Sequence, residues 1–154
     1  MAATDRFMRT RALLGEEKMS RLQQASVMII GLGAVGGYAL EALARAGIGH
    51  LTLVDFDVFD ETNINRQILA LDSTVGRQKT AVAAERVKDI NPDCRVTLKN
   101  MFVNGDTLPQ LFCEPVDFVV DAIDALNPKC NLMEYLYTRR IPFISSMGAA
   151  LKSD

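Results

Sequence analysis

Several protein classes are excluded by what this 154-residue chain lacks. No apolar run approaches the ~20 residues that span a bilayer. The opening Met1-Ala-Ala-Thr-Asp-Arg6 has no apolar core of the kind a secretory leader needs. Cysteine occurs only as Cys94, Cys113 and Cys130, widely spaced and without a C-x-x-C pair, which argues against a disulfide framework or a zinc site. The cytoplasm is the simplest compartment for such a chain. The single histidine, His50, precedes a strand and reads as a surface or capping residue. There is no internal repeat, low-complexity tract or long Pro/Ser linker. The net charge of -2 leaves no general basic footprint, so the chain as a whole is no generic nucleic-acid binder.

What is present fits one domain over residues 1–154. The chain is 49% hydrophobic and 23% charged, enough apolar material for one sizeable core. Strand and helix patterns alternate. Helices are predicted over 16–25, 34–46, 76–90 and 128–139, with a weaker one over 106–112. Strands are predicted over 26–30, 51–54, 95–98, 118–120 and 142–145. On the second helix Val35, Tyr38, Ala39, Ala42, Leu43 and Ala46 share one face. Gly47 closes that helix, and Asn91-Pro92 closes the one before the third strand. Strands separated by helices imply an α/β fold with a mainly parallel, doubly wound sheet of the Rossmann type. The chain stops about ten residues after the fifth strand, which predicts an N-terminal portion of a longer protein.

Gly31-Leu-Gly33-Ala-Val-Gly36 follows a strand and opens a helix, the context that gives a G-x-G-x-x-G motif meaning. The first glycine permits a sharp turn, the second lets the backbone approach a phosphate, and the third lets helix and strand pack closely. Free N–H groups at the helix start then face the phosphates. Asp55, 24 residues after Gly31, ends the second strand and can accept the hydroxyls of a ribose. Loop and acid alone suit NAD, and hence an oxidoreductase, as well as ATP.

Hydride transfer needs no conspicuous Arg and Lys set at the phosphates. Expulsion of pyrophosphate does, because three phosphates must be held while charge builds on the leaving group. Arg66, in Asn63-Ile-Asn65-Arg66-Gln67, and Lys79, in Val75-Gly-Arg-Gln-Lys79, are the candidates. Asp124, just past the fourth strand, can hold a Mg²⁺ that bridges phosphate oxygens, with Asp121 as a second possibility. Taken singly, each could be an ordinary loop or helix residue. Their order after a phosphate loop favours function.

In sequence, G-x-G-x-x-G, Asp55-Phe-Asp57, N-x-N-R-Q, V-G-x-x-K and Ile90-Asn-Pro92 resemble the ThiF/MoeB/HesA superfamily, which includes the ubiquitin-activating enzymes. The resemblance runs from Arg6 to about Gly148. Arg6-Phe-x-x-Thr-x-x-Leu-x-Gly15, Asn91-Pro-x-Cys-Arg-Val-Thr97 and Asp121-Ala-Ile-Asp124-x-x-x-Pro128-Lys129 look like the tRNA threonylcarbamoyladenosine dehydratase branch. The sulfur-carrier branch usually has Thr-Asp-Asn where this chain has Ile123-Asp124-Ala125.

The resemblance implies site roles position by position. Gly31, Gly33 and Gly36 line the phosphates of ATP, and Asp55 holds ribose, with Asp57 beside it in the nucleotide site. Asn63, Arg66, Gln67 and Lys79 contact phosphates or orient the reacting group, and Asp124 serves Mg²⁺. An N-terminal arginine reaches across a homodimer to the neighbouring ATP. Arg9 fits the sulfur-carrier spacing, with Arg6 and Arg11 open. The implied reaction is adenylation of a carboxylate, that of the threonylcarbamoyl group at adenosine 37 of a modified tRNA, followed by cyclisation with loss of water. The alternative substrate is the C-terminus of a ubiquitin-like sulfur-carrier protein, with a sulfur-donor protein as further partner. No enzyme thiol is obligatory for cyclisation, and Cys113 and Cys130 read as packing residues.

Overall fold

The largely apolar run Ser26–Ile30 forms β1, the central strand of a five-stranded parallel sheet. The computed structural model describes residues 5–146. Two helices, α1 (Met8–Leu14) and α2 (Glu16–Gln24), lead into β1. There follow α3 (Ala34–Ala46), β2 (His50–Val54), a 3₁₀ turn at Glu61–Asn63, α4 (Lys79–Ile90), β3 (Arg95–Lys99), α5 (Leu108–Leu111), β4 (Phe118–Asp121), α6 (Leu126–Thr138) and β5 (Phe143–Ser145). The strand order is β3-β2-β1-β4-β5. The sheet therefore turns outward in both directions from β1, which pairs Ile30 with Val54 on one side and with Asp121 on the other.

Alternation along the strands divides the core between two faces. Val27, Ile29, Leu51 and Leu53 pack with Leu40 and Ala44 of α3 and Val82, Ala83 and Val87 of α4. Met28, Ile30, Val54 and Val119 pack with Leu108 and Leu111 of α5 and Leu132 and Leu136 of α6. This is the predicted doubly wound α/β architecture. No helix among the described residues is long and apolar enough to cross a membrane.

The structure corrects several local expectations. The buried face of α3 is Gly36, Gly37, Leu40 and Ala44, whereas Val35 and Tyr38 are exposed. Glycine carries no hydrophobicity, so the apolar pattern pointed to the wrong face; here its missing side chain is what allows close packing. α4 begins at Lys79, three residues later than predicted, because Gly76 has φ +80° and Gln78 is extended. α5 is a single turn, and α6 starts two residues before Pro128, with Pro128 inside its first turn. α1 was not predicted. His50 is half-buried and hydrogen-bonded between Ser26 Oγ (3.1 Å) and Thr97 Oγ1 (3.0 Å), rather than at the surface. Cys113 and Cys130 are exposed, while Cys94 is buried. Any helix beyond β5 falls outside the described residues, as does the last part of the resemblance, near Gly148.

Candidate nucleotide site

In an open parallel sheet, ligands bind beyond the carboxyl ends of the strands at the point where the winding reverses. That point lies between β1 and β4, and the Gly31–Gly36 loop leaves β1 there. Gly31 has φ +90°, and a Cβ on it would lie 2.7 Å from the Ala122 carbonyl oxygen. A Cβ on Gly36 would lie 1.7 Å from the Gly31 carbonyl oxygen. These two glycines fold the loop onto itself and onto the end of β4. Gly33 is the N-cap of α3 and no side chain caps the helix, so its first amides stay available to an anion.

Asp55 fixes the loop from β2. Its Oδ2 accepts the Leu32 N–H at 2.7 Å and its Oδ1 accepts the Asp57 N–H at 2.9 Å. Each oxygen keeps a lone pair for a ligand hydroxyl. Lys79, 6% exposed, opens α4 and donates to Asp57 Oδ2 at 3.1 Å, beneath the Phe59 ring. Gln67 is 7% exposed, its amide lies against Gly33, and its Oε1 is buried without a partner. An orphaned acceptor beside a phosphate loop is a group that a ligand donor would satisfy.

The remaining predicted residues stand further apart. Asn63 accepts the Asp60 N–H and closes a capping box with Asp60. Thr62, through its hydroxyl and its backbone N–H, holds the Asp60 carboxyl below its usual range. Arg66 is exposed and donates to the Thr62 carbonyl and to Asn65 Oδ1, so it folds back on its own loop. Asp124 is exposed in the turn between β4 and α6. Arg9 is exposed on α1 and has no hydrogen-bond partner among the described residues. Arg6 caps the Ile90 carbonyl at 2.7 Å, and Arg11 bridges Asp5 and Glu16. Of the three candidate arginines, Arg9 alone is uncommitted within this described set.

Asp121 is not the open carboxylate the sequence allowed. It is fully buried in an ion pair with Lys129, 2.7 Å away, and accepts from Ser145 Oγ at 2.6 Å. Lys129 and Ser145 were missed. The available signal was helical spacing: Lys129 lies three and seven residues before Leu132 and Leu136, on their buried face. Asp124 thus stands as a single exposed carboxylate near the loop. No group of three or more His, Cys, Asp or Glu side chains that could hold a metal occurs among the described residues. One carboxylate fits Mg²⁺, which commonly takes one or two protein carboxylates together with phosphate oxygens, and does not fit a metal held by protein alone. Burial pushes the Cys94 thiol up, which leaves it a poor nucleophile.

Loop, acid, buried lysine and switch-point position together define a nucleotide-binding α/β domain. The chain belongs to the ThiF family, whose model matches residues 5–154. It is 45% identical over 148 residues to the tRNA threonylcarbamoyladenosine dehydratase of Bacillus subtilis, covering 96% of this chain and 58% of that protein. It is 36% identical over 138 residues to the molybdopterin-synthase adenylyltransferase of Salmonella typhimurium, covering 90% and 54%. The crystal structure of Escherichia coli tRNA N6-threonylcarbamoyladenosine dehydratase in complex with ATP superposes with a TM-score of 0.93. Identity to it is 43%, with 97% of this chain and 61% of that one covered. The chain therefore spans about three-fifths of the length of these two bacterial dehydratases.

Proposed function

We propose that residues 1–154 form the ATP-binding adenylation region of a longer enzyme that activates the threonylcarbamoyl carboxylate at adenosine 37 of a modified tRNA. The observation that supports the reading is the uncapped start of α3 at Gly33, beside the Asp55 carboxylate, in a fold shared at 43% identity with an ATP-bound dehydratase. Identity to dehydratases supports the tRNA substrate over a carrier protein. So does Ile123-Asp124-Ala125 in place of the Thr-Asp-Asn usual among sulfur-carrier enzymes.

In this reading the α3 amides and the Gly31–Gly36 loop hold the phosphates, and Asp55 accepts from the ribose. Lys79 and Arg66 offset the charge that builds on the leaving group. Asp124 holds Mg²⁺, which neutralises phosphate charge when bound. The substrate carboxylate oxygen attacks the α-phosphorus; an acyl–O–P bond forms and the bond to pyrophosphate breaks. Attack on the acyl carbon from within the same modification then closes a ring and releases AMP. The former carboxylate oxygen departs with AMP, so the net change is loss of water. The chain's task is to position charges and exclude misaligned attack.

In this reading the protein works as a homodimer, as the family resemblance implies. Phe7 packs beside Gly47, at the end of α3 away from the phosphate loop. At 1.5 Å per residue, the 13-residue α3 puts about 20 Å between that end and the loop. Arg9, two residues from Phe7, serves the nucleotide of a second copy. ATP–pyrophosphate exchange by the full-length protein tests the function. Exchange that requires modified tRNA supports the reading; exchange that requires a small protein ending in Gly-Gly transfers it to the carrier class. Nicotinamide binding without exchange overturns both.

A further inference from the structure

We propose that Lys129 is a positioning residue for the metal–nucleotide complex: with Ser145 it pins Asp121, and through Asp121 it sets the turn that carries Asp124. The inference rests on the adenylation reading above and adds to it two residues with no role there.

Three elements meet at Asp121. Its Oδ2 accepts from Lys129 Nζ of α6 at 2.7 Å and from Ser145 Oγ of β5 at 2.6 Å. Lys129 Nζ also donates to Ser145 Oγ at 3.1 Å, which closes a triangle. The other carboxylate oxygen, Oδ1, accepts the Ile123 N–H at 3.1 Å. One side of the carboxylate is thereby anchored to a helix and an edge strand, while the other holds the turn that follows β4. The next residue, Ala122, bonds to the Ile30 carbonyl at 2.9 Å and lies against Gly31. Asp124 is one residue beyond Ile123. Its place relative to the phosphate loop is therefore fixed from both sides of Asp121.

Stability alone gives little reason for this cluster. Lys129 is 2% exposed and Asp121 fully buried. Removing two charges from water costs several kcal/mol, and the attraction between them largely offsets rather than exceeds that cost. An apolar pair of similar volume would fill the space between α6 and β4 equally well. What an apolar pair cannot do is bind the Ile123 amide and fix one rotamer of the turn. The pair also turns both Asp121 oxygens inward, which leaves Asp124 as the exposed carboxylate there.

The test uses the full-length protein with Lys129→Met, Lys129→Arg and Ser145→Ala. The affinity of a fluorescent N-methylanthraniloyl-ATP is measured in Mg²⁺ and in EDTA, and ATP–pyrophosphate exchange is measured against Mg²⁺ concentration. Lys129→Met is expected to weaken nucleotide binding in Mg²⁺ about tenfold, the loss typical of removing a support behind a metal ligand, and to leave binding in EDTA unchanged. Lys129→Arg restores most of the affinity. Ser145→Ala, which keeps the ion pair, shifts Mg²⁺ half-saturation the same way by a smaller factor. Equal weakening in Mg²⁺ and EDTA, or no shift in Ser145→Ala, overturns the proposal. If Lys129→Met does not fold, Ser145→Ala decides alone by the same criterion. Absence of exchange in the unmodified protein would remove the adenylation reading, while the Mg²⁺-against-EDTA comparison still judges Lys129.

Discussion

Lys79 and Asp57 are joined twice: the Lys79 N–H donates to the Asp57 carbonyl at 3.0 Å, and its ammonium lies 3.1 Å from Asp57 Oδ2. The lysine stem is buried, whereas the Asp57 side chain is 47% exposed. The ammonium is thus carried to the mouth of the site by a rigid helix start. Lys79→Ala should lower ATP–pyrophosphate exchange by about 100-fold or more, the usual loss when a charge-stabilising donor is removed. Asp57 stays solvated, so circular dichroism of the variant should remain native. Native exchange rates would refute the role given to Lys79.

Asp124 supplies a contrasting case. It is exposed and makes no hydrogen bond among the described residues. Asp124→Ala should change unfolding free energy by no more than about 0.5 kcal/mol while abolishing Mg²⁺-dependent exchange. Urea denaturation beside the exchange assay checks both halves. A destabilised variant, or an active one, would contradict the assignment.

Gly36→Ala tests the loop itself. The new methyl would stand 1.7 Å from the Gly31 carbonyl oxygen, which is backbone and cannot swing aside. Overpacking of this kind costs about 1–3 kcal/mol or more, and the loop must open to relieve it. Loss of nucleotide affinity together with a lower urea midpoint is expected. Gly76→Ala makes a control, since open space surrounds that position and only its φ of +80° is strained; it should lose stability without matching the loss of affinity.

His50 links stability to pH. Desolvation first, and the charge of Arg95 second, hold its pKa below the ordinary 6.5. Its folded pKa is therefore depressed, and the unfolded chain binds the proton more readily. The stability it contributes is present above about pH 6.5 and is lost as pH falls through the folded pKa. Melting temperature should drop between pH 7.5 and 5, and His50→Gln should make that drop smaller. An unchanged drop would locate the pH response in other groups.

How much of this was legible beforehand depended on whether the chemistry was carried by pattern or by contact. β1 and α3 were placed to the residue, since an apolar run ending at Gly31 and a helix ending at Gly47 have sharp local boundaries. The positions of the glycine loop at the end of β1 and of Asp55 at the end of β2 were also readable, because each directly follows a short apolar strand. The α3 face was misread because its packing surface is made by Gly36 and Gly37. The Asp121–Lys129–Ser145 cluster was invisible as a unit. Its members are brought together only by the β4–α6–β5 crossover, 24 residues from end to end. Phe7, at the start of the unpredicted α1, packs by Gly47, another contact between distant parts of the chain.

The strand order also sets a timetable for assembly. β1 is made early, yet its second neighbour pairs Ile30 with Asp121, 91 positions downstream. Closing so long a loop is slow relative to local helix formation. A ribosome adding about 5–20 residues per second would expose one edge of β1 for several seconds before β4 emerges. During that interval the glycine loop has no Ala122 to lean on. The nucleotide cleft is thus among the last parts of the molecule to exist, and nascent chains ending before Asp121 should neither hold ATP nor protect the β1 amides that face β4 from hydrogen exchange.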